Sequence, residues 1–85
     1  MCYEFKRKAP ERDGGYRFEG QSYLSRGVMA DLQPVEAWHI MSDLRAAVER
    51  EGGLDYLQVY EAGDGRAVWV IDDVERWTML MPYEY

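Results

Sequence analysis

LDYLQVYEAGDGRAVWV, running from Leu54 to Val70, decides the fold. Two strand-like runs flank Gly63-Asp64-Gly65, which is the pattern of a β-hairpin, and both faces carry large apolar side chains. Side chains alternate across a strand, so parity decides which residues share a face. A two-residue Asp64-Gly65 loop, or a four-residue loop over 62–65, aligns Leu57 and Val59 with Val68 and Val70. The opposite face then holds Tyr56 and Tyr60 with Ala67, Trp69 and Ile71. A three-residue Gly63-Asp64-Gly65 loop exchanges the two sets in one strand.

The pattern continues beyond Val70. A turn at Asp72-Asp73-Val74-Glu75 carries the register into a third strand, adding Trp77, Met79 and Met81 to the Leu57 face and Thr78 and Leu80 to the Tyr60 face. Strands are thus expected at 54–61, 66–72 and 76–81, the last ended by Pro82, which has no N–H to donate.

Upstream lies one well-marked helix, Pro34 to Glu51. Proline suits the first helical turn, Glu36 suits the positive end of the helix dipole, and Gly52-Gly53 supplies a left-handed stop. Val35, Trp38, Met41, Leu44 or Arg45, and Val48 recur at helical spacing and predict the buried stripe. "YRFEGQSYLSRGV" (16–28) alternates at Tyr16 and Phe18 and reads as one or two short extended segments broken at Gly20. The charged stretch before it, including Lys6-Arg7-Lys8, reads as a flexible arm over 1–15, with residues 16–85 as a single domain. The expected fold is α+β: one helix on a small antiparallel sheet, β-α-β-β-β, with scope for an extra N-terminal strand.

One helix covers only one face of a sheet. The Tyr60 face needs another cover: the N-terminal segment through Tyr16, Phe18 and Tyr23, a second copy of the chain, or a distinct partner.

Charge and composition narrow the function. In 85 residues the formal net charge is −6, and the acidic excess lies entirely beyond residue 20. Such a surface repels a phosphate backbone, so direct nucleic-acid binding is disfavoured, while a basic partner is not. A single cysteine, Cys2, allows neither an intrachain disulfide nor a cysteine-based metal site. With no signal-like or membrane-length apolar run, a cytoplasmic protein off the membrane is expected.

Catalytic chemistry finds little support. His39 is the sole histidine; a catalytic dyad would need Cys2 or a serine beside it, and nothing in the spacing brings Cys2 near, so His39 reads as a partly exposed structural residue. Asp72, Asp73 and Glu75 crowd one turn without calcium-loop spacing, and turn acids commonly bond their own backbone. No metal or cofactor is expected. The tail MPYEY carries Tyr83 and Tyr85, suited either to docking or to folding back.

"YLSRGV" (23–28), "AWHIMSDL" (37–44) and "LDYLQVYEA" (54–62) resemble the domain-of-unknown-function family 960, small proteins of Gram-positive bacteria and their mobile elements. Asp55-Tyr56-Leu57-Gln58-Val59 is the most specific part. The chain departs from that pattern after Tyr60, where RWTMLMPYEY replaces a Gln-Glu-Pro-like segment, and it is shorter before Trp38. The resemblance implies an α+β fold and a mobile-element setting, and carries no catalytic residues.

The expected function is a non-enzymatic binding protein, a phage or plasmid accessory or inhibitor protein, acting as a homodimer or on a protein partner. The expected surface is Tyr56, Tyr60, Trp69 and Ile71, rimmed by Asp64, Asp72 and Asp73. Two alternatives are an acidic decoy for a nucleic-acid-binding protein, and a small-ligand sponge at a dimer boundary with Arg26 and Arg66 as anion contacts.

Overall fold

The computed structural model describes residues 5–9 and 12–85. It is α+β: one main helix lies against a five-stranded mixed sheet, mostly antiparallel. The elements in chain order are β1 (Phe5–Arg7), β2 (Gln21–Leu24), α1 (Arg26–Asp31), α2 (Pro34–Glu51), β3 (Leu57–Ala62), β4 (Ala67–Asp72), β5 (Arg76–Leu80) and a short 3-10 turn, Pro82–Glu84. Across the sheet the order is β1-β3-β4-β5-β2, with only β2 and β5 parallel.

Helix α2 has the predicted bounds. Pro34 opens it, Glu36 Oε1 accepts from the Gln33 N–H at 2.9 Å, and Gly52 closes it at φ +78° with its N–H on Val48 O. The buried stripe is Ala37, Ile40, Leu44, Ala47 and Val48, with Met41 packed at its side. This corrects the expectation for the first two turns, because Val35 is exposed and Trp38 is 66% exposed. Two stripes at helical spacing share Leu44 and Val48 and diverge toward the N-terminus. Ile40 lies on the one that meets the sheet, and Trp38, two residues before it, points away from the core.

The β3–β4 hairpin settles the parity question. Ala62 N–H donates to Arg66 O and Gly65 N–H to Ala62 O, closing a three-residue loop with Gly65 at φ +94°. The odd loop exchanges the faces of β3: Tyr60 stands opposite Val68 and Gln58 opposite Val70, whereas Val59 meets Trp69 and Leu57 meets Ile71. Tyr60 is therefore a core residue, 0% exposed, and Leu57 and Val59 lie on the outer face. In β4 and β5 the expected faces hold, with Val68, Val70, Trp77 and Met79 in the core.

The N-terminal segment supplies both edges of the sheet. Phe5–Arg7, expected in a flexible arm, pairs antiparallel with β3, and Phe5 enters the core opposite Ala62. Residues 12–20 then run around one end of the sheet: Tyr16 bridges to Leu54, and Phe18 plugs the core edge-on to Trp77. Phe18 thus packs on the helix side, where Arg45 Nη2 donates to its carbonyl oxygen. The extended segment expected within 21–28 ends at Leu24, because Ser25 caps α1 by accepting from the Val28 N–H.

Candidate functional site

Both helices lie on the Tyr60 side, so the outer sheet face is the first candidate surface. It carries Leu57 and Val59 from β3, Ala67, Trp69 and Ile71 from β4, and Thr78 and Leu80 from β5. All but Leu80, which is buried, are half-buried, as strand neighbours shield one another at close spacing. Among the described residues no helix covers this face. Its partial covers are at two margins: the Tyr85 ring stands edge-on to Trp69 at 5.5 Å, and Lys8, Ala9 and Arg12 border a small cleft with Leu57 and Val59.

The residues expected to form a surface divide into several groups. Trp69 and Ile71 lie on the outer face as expected. Tyr60 does not: its hydroxyl donates to Asp43 Oδ2 of α2 at 2.8 Å, and burial followed by that hydrogen bond holds it well above the ordinary tyrosine range. Tyr56 sits just before β3, half exposed, its ring edge-on to Tyr16. Asp72 is not a rim acid. Buried on the core side, its carboxylate accepts from the Phe18 N–H at 2.9 Å and the Val74 N–H at 2.7 Å. Asp73 accepts from the Arg76 N–H within the β4–β5 turn, and Asp64 accepts from the Arg66 N–H and Nε in the hairpin loop. Asp64 and Asp73 thus serve their own turns, for the reason that favours aspartate there, while Asp72 also ties its turn to Phe18.

Arg66 is committed to structure. Its guanidinium reaches the buried Glu36 at the start of α2, with Nη2 2.7 Å from Oε2, and also donates to Asp31 O. The hydrogen bonds to Glu36 hold it firmly charged. The pair pins the hairpin loop to the helix, which leaves little for an anion. Arg26 is different: it is exposed at the first residue of α1 and, among the described residues, makes no hydrogen bond or ion pair.

Residue reasoning missed a second apolar area at the elbow between the helices. Leu24, Val28, Met29, Leu32, Pro34 and Ala37 line a cleft of about 200 Å³, and Trp38 lies one turn beyond Pro34. The sequence signal is Met29 in "SRGVMA", which follows a segment expected to be extended where the structure has α1.

The tail folds back. Glu84 accepts from Ser25 Oγ, the Gly27 N–H and the Met81 N–H, while Tyr83 donates to Asp31 Oδ2. A Cβ at Gly27 would stand 2.6 Å from the Glu84 carboxylate, so a larger residue there would push that side chain aside. The hydrogen bond from Ser25 lowers the Glu84 pKa below the ordinary carboxylate range.

Among the described residues no three His, Cys, Asp or Glu side chains are grouped to hold a metal ion, and no helix is long and apolar enough to cross a membrane. Comparison with family models, curated proteins and solved structures finds no match for the chain.

Proposed function

We propose that the chain is a non-enzymatic protein-binding module whose outer sheet face, centred on Val59, Trp69 and Ile71, docks a protein partner. One observation supports it: both helices cover the Tyr60 side, while an aromatic and aliphatic surface remains on the other. Tryptophan is among the residue types enriched at binding hot spots. Tyr85 against Trp69 makes the tail a removable cover over one margin. A cytoplasmic setting, and a role as an accessory or inhibitor protein of a phage or plasmid, belong to the same proposal; the latter rests on the Asp55–Val59 resemblance alone.

The test compares partner capture from the native host by the wild-type chain and by Val59→Ser/Trp69→Ser. The expected result is loss of the captured protein with an unchanged circular dichroism spectrum. Capture that persists in the double variant, or a double variant that unfolds, removes the proposal. Capture abolished by modest salt would instead favour the acidic decoy, since an apolar interface resists screening.

A further inference from the structure

The two sheet edges differ in protection. The β1 edge carries Lys6, Arg7 and Lys8, and lysine on an edge deters strand addition. The β2 edge is Gln21-Ser22-Tyr23-Leu24, uncharged and exposed throughout. Ser25 N–H donates to Met79 O, and β2 runs parallel to β5 with Tyr23 opposite Thr78. In such a ladder alternate residues bond to one side. Gln21, Tyr23 and Ser25 thus face β5, leaving the N–H and C=O of Ser22 and Leu24 directed at the open edge.

A cation at one end of that edge can meet carboxylates at the other. Arg26, two residues past Leu24, has no ion pair among the described residues. At the other end Glu19 and Glu75 flank Gly20; of the two arginines there, Arg17 keeps a 3.6 Å exposed contact to Glu19 and Arg76 lies over the Tyr23 ring at 5.2 Å, while the Glu75 carbonyl oxygen lies 3.8 Å from where a Gly20 Cβ would stand. An antiparallel arrangement of two such edges puts unlike charges together at both ends.

We infer that the chain forms a two-fold dimer by pairing β2 antiparallel with β2 of a second copy, joining two sheets into one of ten strands. With the axis at Tyr23, Ser22 of each copy pairs with Leu24 of the other, and every outward N–H and C=O of both residues is satisfied. The two Tyr23 rings meet on the outer face as a cross-strand aromatic pair. The same register carries Arg26 of each copy to Gly20 of the other, between Glu19 and Glu75. Leu24 and Met29, both exposed in the single chain, gain cover on the helix side. This goes beyond partner docking: the edge contact leaves Val59 and Trp69 open and presents two such faces side by side.

Sedimentation equilibrium on the full chain tests the arrangement. The wild type is expected to be dimeric at about 100 µM, a concentration suited to a contact of modest area. Ser22→Pro removes an N–H directed at the open edge, so the single chain keeps all its sheet bonds. It should weaken association at least about tenfold, since proline removes two of the shared hydrogen bonds and crowds the mate. Tyr23→Lys, at a half-exposed position, places two lysines at the axis and should do the same, which guards against misfolding of the proline variant. Arg26→Glu should weaken the dimer, and adding Glu19→Arg with Glu75→Arg should restore it. A wild type that stays monomeric at about 1 mM, an affinity scale too weak for a specific pair, overturns the inference. So does a dimer unaffected by Ser22→Pro and Tyr23→Lys, or one dissociated only by Val59→Ser/Trp69→Ser.

Discussion

The Tyr60 hydroxyl donates to the Asp43 carboxylate at 2.8 Å, binding the middle of β3 to the middle of α2 across the core. Because Tyr60 is fully buried, its phenolate is disfavoured in the folded chain. The unfolded hydroxyl ionises near the ordinary value of about 10, below the folded one. The stability this group provides is therefore complete below that pH and is lost as pH rises toward the raised folded value. Above about pH 10 stability should fall by up to roughly 1.4 kcal/mol per pH unit from this group. Tyr60→Phe should remove that slope and cost about 1 kcal/mol at neutral pH. Denaturant melts at pH 7, 10 and 11 check both.

Val74 holds a left-handed backbone at φ +81° while 78% of its side chain is exposed. A β-branched residue is strained there, at about 1–3 kcal/mol. Val74→Gly should therefore raise stability by about 1 kcal/mol, since little burial is lost. Asp72→Ala should do the reverse by about 2 kcal/mol or more, because it strips the buried N–H of Phe18 and that of Val74 of their acceptor. Thermal melts of the two variants should move in opposite directions.

The strap over α1 responds to acid. Glu84 has a lowered folded pKa, so its contribution is present above the ordinary glutamate value of about 4.3 and disappears as pH falls through the lowered one. Below that value the strap should detach and Tyr85 should leave Trp69, while the helix and sheet persist. Indole and tyrosine NMR shifts during an acid titration report it. Glu84→Gln should show the detached shifts already at neutral pH.

Helix phase is tested by a pair of substitutions. Trp38→Ser should change stability by less than about 0.5 kcal/mol, as exposed sites generally do. Ile40→Ala should cost about 2–5 kcal/mol through lost burial and the cavity left behind. Equal effects would contradict the assignment of Ile40 to the core.

The bounds of α2 were legible because proline and glycine act locally, through φ and a missing N–H. The pairing of β4 with β5 was legible because its turn keeps parity and its core side is uniformly apolar. Tyr60 was misplaced for one reason: loop length is a single integer, and Ala62-Gly63-Asp64-Gly65 supports either parity from sequence alone. Gln58 deepened the ambiguity, since a buried amide reads as surface until Arg7 and the Asp55 carbonyl are seen satisfying it. The edge role of Phe5 and the core role of Phe18 depend on contacts across more than fifty residues, which no local pattern carries. Trp38 misled because a large aromatic at helical spacing is counted as core by size, whereas Ile40 is the residue that meets the sheet.

Both flanks of the sheet come from residues preceding the helix, while its three central strands come from residues following it. On a ribosome, β1 and β2 are made early and have nothing to pair with until the meander has emerged. The meander closes through short turns and α2 through local bonds, so these form fast, and the flanks dock last across long loops. Segments synthesised before the meander are thus the last to find their places, and the folding rate should be governed by how quickly those flanking strands are recaptured.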